Sequence, residues 1–368
     1  MPQIDLNIPA SGNTVEVSII DTTARIHGPP GIFLTPEVGG FKDLNTGAYA
    51  FMVENKSQNK RVLFDLGIRK DWENLAKPLY DRLKAMFSIT IEKDVAEILT
   101  DHGIALETID AIIWSHTHFD HVGDASTFPS TTSLVVEPGV SAASLPAYPS
   151  NPASELLESD VAGRALVEIP PEQFTLQIGG FRAHDYFGDG SFYLLDVPGH
   201  AVGHVCGLAR TTSSNGNGND SEAISSNTFI LMGADTIHHA GQLRPSEHVP
   251  LPDQITPSPY TGVSVPCPGE IFAAIHPSPE KYQTSAFYHV HIFPNGRSVA
   301  VDPEEAERSV GSLAEFDGAS HVFVMCAHDT SLEGVVETFP ATANGWKAAG
   351  WKETARWRFL RDWKVERE

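Results

Sequence analysis

One stretch constrains this chain more than any other: Ser115-His116-Thr117-His118-Phe119-Asp120-His121. It packs four metal-competent side chains, His116, His118, Asp120 and His121, into six residues. It directly follows the apolar run Ile109-Asp110-Ala111-Ile112-Ile113-Trp114, which reads as a buried strand. The cluster therefore belongs on the loop leaving that strand's C-terminal end. Imidazole and carboxylate are ligands that zinc accepts, as do manganese and iron. His116 and His118 are two apart, so an extended loop points both to one side. Asp120 and His121 follow where the chain can turn into a helix, and they aim at a second position nearby. One ion does not need all four. The spacing predicts two divalent ions sharing one loop, a two-metal hydrolytic arrangement. The bland alternative is a polar loop in which some of the chain's 16 histidines happen to be exposed. Four ligands in this order after an apolar strand are hard to obtain by chance.

The segment resembles the His-x-His-x-Asp-His signature of the metallo-β-lactamase fold superfamily. The rest of that family's pattern can be followed down the chain. A His after a strand stands in Pro198-Gly199-His200, behind the run Ser191-Phe192-Tyr193-Leu194-Leu195-Asp196-Val197. An Asp after a buried strand stands in Phe229-Ile230-Leu231-Met232-Gly233-Ala234-Asp235, and a last His in His321-Val322-Phe323-Val324-Met325-Cys326-Ala327-His328. The resemblance implies that His116, His118 and His200 hold one metal, that Asp120, His121 and His328 hold the other, and that Asp235 bridges them. It spans residues 48–335 and implies an α/β fold, an αββα sandwich of mixed sheets covered by outer helices. Asp65, at the end of the strand-like run Arg61-Val62-Leu63-Phe64-Asp65, stands where the family usually has an Asp that orients a metal-bound His. A plain turn-forming Asp is the other reading. Asp124 departs from the family, which more often has glycine there, and either reshapes the site floor or caps the next helix.

Composition narrows the partners. Lys and Arg number 25 against 47 Asp and Glu, a net charge of −22. So acidic a surface argues against nucleic acid and favours a small neutral or cationic substrate, unless a local basic pocket overrides the average. Three cysteines, Cys206, Cys267 and Cys326, make no disulfide framework and suit a reducing compartment. The first residues show no secretory signal, and no apolar run approaches membrane-spanning length. The expectation is a cytoplasmic protein with no membrane partner; oligomeric state leaves no mark in the sequence.

The length of 368 residues fits a single domain, 1–368, of this fold. A Gly- and Pro-rich segment at 28–40 is either a pocket rim or a surface connection. Residues 70–87 read as helical, with Pro78 starting a second segment. Residues 94–101 read as a short helix stopped by Gly103, and 303–316 as an amphipathic one. The Ser-, Asn- and Gly-rich 211–227 is expected to be a flexible hairpin tip. The Pro-rich 236–320 is longer than the basic fold needs and is expected to be an insertion forming a pocket lid. It carries His238, His239, His248, His276, Tyr288, His289 and His291, any of which could reach a substrate carbonyl; Tyr288 and His289 are the expected substrate contacts. His204, four residues after His200, is expected to support the ligands rather than join them. The four tryptophans Trp346, Trp351, Trp357 and Trp363 are expected to pack a terminal segment against the body.

By resemblance the cofactors are two divalent metal ions, zinc first, with manganese or iron also suited. A hydroxide held between them would attack a carbonyl carbon, with Asp120 as the catalytic residue that orients it and passes its proton to the leaving group. The fuller pattern, including Asp185-Tyr186-Phe187-Gly188-Asp189-Gly190 and Gly241-Gln242-Leu243-Arg244-Pro245, is similar to fungal metallo-β-lactamase-like hydrolases, some of which open cyclic amides of plant defence compounds such as benzoxazolinones. That implies a lactamase or lactonase with a role in xenobiotic detoxification. The alternatives are a glyoxalase II-like thioesterase, a non-haem iron oxidoreductase on the same fold, and a non-enzymatic binding module. The complete ligand set weighs against the last.

Overall fold

The structure, a computed structural model, describes residues 4–213, 227–260 and 262–363. Most of the hairpin tip expected at 211–227 lies outside the described residues.

Strict alternation along the strands builds two layers of core at once. In the strand Tyr49–Asn55, Phe51 and Val53 face one apolar cluster while Ala50 and Met52 face another. Successive side chains of a strand point to opposite faces, so a strand apolar at every position must be covered on both. The same split runs through Phe192–Asp196, where Phe192 and Leu194 join the first cluster and Tyr193 and Leu195 a third.

The result is two six-stranded sheets packed face to face. The first contains β1 (Glu16–Asp21), β2 (Tyr49–Asn55), β3 (Lys60–Phe64), β4 (Ala111–Ile113), β5 (Ser133–Val136) and β6 (Leu166–Glu168), in that order. The second contains β7 (Leu176–Ile178), β8 (Phe181–Asp185), β9 (Phe192–Asp196), β10 (Val205–Thr212), β11 (Thr228–Met232) and β12 (Val322–Met325), again in order. Both sheets are mixed: β3 to β6 run parallel behind an antiparallel start, and β12 is parallel to β11 in an otherwise antiparallel sheet. Phe51, Phe64 and Ile113 meet Leu194, Ile230 and Met325 in the central core.

Helices cover the outer faces. On the first sheet, α2 (Val95–Asp101) seats Val95, Ile98 and Leu99 against Leu63 and Ile112. Its start is a capping box between Asp94 and Glu97, and Gly103, at φ +79°, follows its end. On the second sheet, the helix Pro303–Gly318 seats Val310, Leu313 and Phe316 against Leu195, Leu208 and Val324. The architecture is therefore αββα. The helix expected over 70–87 is shorter. A 3-10 turn at Trp72–Asn74 precedes α1 (Lys77–Met86), because Pro78 sits in the helix's first turn, where its missing N–H costs nothing.

The 236–320 segment divides three ways. His238 and residues 293–299 reach the cavity described below. Val249, Leu251, Ile255, Phe272 and Phe287 pack instead with Trp357, Phe359, Leu360 and Trp363 in a satellite core. The helix Pro303–Gly318 is the outer layer of the second sheet. Trp346 and Trp351 lie in the central core, so all four late tryptophans are packing residues. Among the described residues no helix is long and apolar enough to cross a membrane.

Candidate metal centre

β3, β4, β9, β11 and β12 release their chains toward one edge of the sandwich, and the loops that follow carry every residue expected to hold or orient the metals. The first loop is pinned before it is functional. Asp65 follows β3 in the left-handed region, φ +63°. Its Oδ1 accepts from the Ser115 N–H at 2.7 Å and its Oδ2 from the Ser115 hydroxyl at 2.8 Å. The same Oδ2 lies 2.7 Å from His121 Nδ1. Asp65 thus ties the loop backbone and sets the His121 ring with Nε2 pointing inward. The loop ends in a four-residue helical turn, α3 (Phe119–Val122), held by the Trp114 indole N–H donating to the Val122 carbonyl at 3.2 Å. Gly123 then turns away at φ +54°, and a Cβ there would stand 2.4 Å from the Leu66 Cβ.

The other loops are fixed in kind. His200 follows Gly199, φ +116°, whose own Cβ would lie 2.1 Å from the Ala306 nitrogen, so only glycine lets this loop pass beneath the helix Pro303–Gly318. His328 donates from Nδ1 to the Gly47 carbonyl at 2.7 Å, which leaves Nε2 facing the centre. His204 donates from Nδ1 to the Val197 carbonyl and accepts the Asp235 N–H on Nε2 at 3.2 Å. It braces the backbone of Asp235. Ala234, just before it, holds φ +41°, a conformation a residue with a side chain rarely adopts.

These loops converge into two donor groups sharing one carboxylate: His116, His118, His200 and Asp235, and Asp120, His121, His328 and Asp235. Within each group the ligand atoms lie within 4.8 Å of one another. Asp235 is divided between them. Its Oδ1 is 2.9 Å from His121 Nε2 and 3.1 Å from His328 Nε2. Its Oδ2 is 3.5 Å from His200 Nε2 and 3.8 Å from His116 Nε2. His118 Nδ1 completes the first group 3.0 Å from His200 Nε2, and Asp120 Oδ2 the second, 3.4 Å from His328 Nε2.

The chemistry of this cluster fits a pair of cations. His116 Nε2, His121 Nε2 and Asp235 Oδ1 are buried and make no well-directed hydrogen bond, although the last two stand 2.9 Å apart. Buried polar atoms are rarely left so, and here three of them face one another. Burial, then the neighbouring imidazoles His121 and His118, pushes the His116 pKa well below its ordinary value; burial and His118 do the same to His200. Both rings are thereby kept neutral, the form that binds metal. On the other side burial opposes charge on His121 and His328, but Asp235 outweighs it. His121 is held well above its usual range, and His328 is raised to about 10. Carboxylates that favour a proton there favour a metal cation equally. Nitrogen and oxygen donors of this kind suit zinc, manganese or iron.

A cavity of about 640 Å³ opens over the cluster, with His118, Asp120, Asp235, His238 and His328 in its floor. Its walls are apolar, with Phe33 from the 28–40 segment, Leu79 and Phe87 from and beside α1, Phe119, and Phe293. The 28–40 segment is therefore a rim. Asp124 caps the 3-10 turn Ala125–Thr127 through the Ser126 N–H and takes Arg69 Nη2 at 3.3 Å, so it stabilises the loop's exit rather than the floor.

Two expected substrate contacts are not brought to this cavity. Tyr288 is buried in the satellite core, where its hydroxyl accepts from the Trp363 indole N–H at 2.8 Å. His289, the first residue of the two-residue strand His289–Val290, lies at the surface instead and pairs with Glu307 at 2.6 Å. The residue of that segment that does reach the floor is His238. Its ring stacks on Phe33 at 4.5 Å, and its buried Nε2 lies 3.4 Å from Asp235 Oδ2 without a hydrogen bond. The signal for it was its place three residues after Asp235, within one turn of the same loop.

The sequence profile of the Metallo-beta-lactamase superfamily matches residues 45–211. The chain is 43% identical over 364 residues to Gamma-lactamase FDB1 of Fusarium pseudograminearum (strain CS3096), covering 96% of this chain and 84% of that one. It is 43% identical over 365 residues to Metallo-hydrolase mfmC of Annulohypoxylon moriforme, covering 98% and 90%. A crystal structure of a quorum-quenching N-acyl homoserine lactone hydrolase matches 90% of this chain and 100% of its own at a TM-score of 0.52 and 17% identity, a likeness of fold. The two-sheet sandwich, the loop-borne histidines and near-full-length relatives agree: the chain belongs to the metallo-beta-lactamase superfamily and is a hydrolase of that superfamily.

Proposed function

We propose that this chain is a dinuclear-metal hydrolase that opens a small cyclic amide or ester. The observation that carries the reading is the division of Asp235 between two histidine groups in the floor of an apolar cavity. Relatives named gamma-lactamase and metallo-hydrolase support the reaction class. Two divalent ions bound there, zinc first, would supply an acidified water and a Lewis acid for the acyl oxygen.

The chain's own groups do the rest. His116, His118 and His200 hold one side, and Asp120, His121 and His328 the other. Asp65 and His204 keep His121 and Asp235 in orientation. Asp120, buried yet lining the cavity, orients the attacking water and carries its proton. Water oxygen adds to the carbonyl carbon, the acyl C–N or C–O bond breaks, and the proton goes to the departing nitrogen or oxygen. His238 Nε2, the uncommitted ring nitrogen in the floor, donates to the acyl oxygen. The aromatic and aliphatic walls exclude bulk water and favour an apolar substrate body.

The test is proton release by zinc-loaded protein given benzoxazolinone, a homoserine lactone and an acyl thioester in parallel. Ring opening with the thioester inert is the expected result. Turnover of the thioester alone would replace the reading with a thioesterase.

A further inference from the structure

Two guanidinium groups line the cavity mouth, and they are not equivalent. Arg82 is committed, paired with Glu155 across the rim. Arg297 forms no ion pair among the described residues, although the chain carries a net charge of −22. Its backbone, however, is firmly held. The Gly296 N–H donates to the Phe293 carbonyl at 2.8 Å, the Phe293 N–H donates to the Arg297 carbonyl at 2.7 Å, and Asn295 Oδ1 accepts the Arg297 N–H at 3.0 Å. Gly296, at φ +78°, closes the turn. The turn is fastened in place by the Phe293 ring packed edge-on to His291 at 4.5 Å, and by the Ser298 hydroxyl donating to the His291 carbonyl at 2.6 Å. A fixed turn thus presents a free cation over an apolar cavity whose floor is the metal centre.

We propose that Arg297 is a specificity residue that receives a carboxylate on the outer end of the substrate, while the substrate's apolar body fills the cavity and its cyclic acyl group meets the metal centre. The proposal rests on the reading of the chain as a cyclic amide or ester hydrolase. The planar fork of a guanidinium matches a carboxylate with two parallel hydrogen bonds. In a protein this acidic, a lone cation at the mouth also gives an anionic substrate a local entry that the average surface denies it. Most exposed arginines serve only solvation, and it is the combination of cavity position, fixed turn and missing partner that sets this one apart.

The experiment compares benzoxazolinone with a carboxybenzoxazolinone on zinc-loaded wild type, R297A, R297K and R297E, each checked for an unchanged thermal midpoint. The readout is the ratio of kcat/KM for the acid to that for the neutral compound. R297A should lower this ratio about tenfold, ~1.4 kcal/mol of discrimination. R297E should lower it further, R297K should retain part of it, and high salt should flatten the differences. The same ratio in all four proteins would overturn the proposal. If neither ring is opened while the homoserine lactone is, the cyclic-amide part of the proposed function fails by itself. The inference is then decided by calorimetric titration of 2-naphthoate into zinc-loaded protein: binding at least tenfold weaker to R297E sustains it, and equal affinity overturns it.

Discussion

Asp235 separates two chemically distinct halves of one site. Its two oxygens face different histidines, and its backbone is held by His204 on one side and a strained Ala234 on the other. A bridging carboxylate is useful only if the rings it faces are also fixed, and Asp65 does that for His121. Asp65→Asn keeps the shape but replaces one acceptor oxygen with a donor, so the residue can no longer accept from the Ser115 backbone N–H and from His121 at once. The expected outcome is a loss of about 10–100-fold in zinc affinity, measured by chelator competition, with a smaller change in thermal midpoint. Unchanged affinity would show that the His121 ring is set by packing alone.

At the scale of the element, α3 is only four residues long, too short to be stable alone. It persists because β4 delivers it, Trp114 bonds its last carbonyl, and the Gly123 N–H donates to the Gly67 carbonyl at 2.9 Å. Gly123→Ala would drive a Cβ into Leu66 and impose a left-handed φ on alanine. It should cost about 1–3 kcal/mol in denaturant unfolding and reduce metal retention as Asp120 and His121 shift. A fully stable, fully loaded variant would mean that the loop can re-route. This element was legible in the sequence because its ligands are contiguous and its strand is apolar on both faces. The start of α1 and the fate of 236–320 were less so. Pro78 marked a boundary correctly, but only long-range packing shows that Phe272 and Phe287 belong with Trp357 and Trp363. Tyr288 and His289 were expected at the site for the same reason: side-chain type was readable, but the packing of Tyr288 on Trp363 and the pairing of His289 with Glu307 are long-range.

For the whole molecule, the satellite core must be fastened to the sandwich, and a buried ion pair does so. Arg244 Nε and Nη2 donate to Asp317 Oδ2 and Oδ1 at 2.7 and 2.8 Å, joining the segment after His238 to the outer helix of the second sheet. Burial would raise the Asp317 carboxyl, but Arg244 more than offsets it and holds the pKa at about 2, against 3.8 when unperturbed. A depressed carboxyl contributes stability above its unfolded pKa and loses it as pH falls through the folded one. Asp317→Asn should therefore destabilise the protein by about 3 kcal/mol near neutrality, leaving a buried guanidinium unpaired, and the deficit should shrink between pH 3.8 and about 2. A deficit independent of pH would assign the pair a packing role only. The two-layer fold and the seven candidate ligands were legible through the resemblance to the metallo-β-lactamase pattern, which their order along the chain carries. Which histidine of the 236–320 segment reaches the cavity floor, and the place of Arg297 at its mouth, were not, since each depends on what lies across the cavity. The proposed hydrolysis depends on two ions meeting at Asp235, and metal stoichiometry tests that directly. Elemental analysis of protein loaded with zinc and then desalted should give two ions per chain, and Asp235→Ala should lower occupancy of both sites. One ion or none in the wild type, with ring-opening activity intact, would contradict the account.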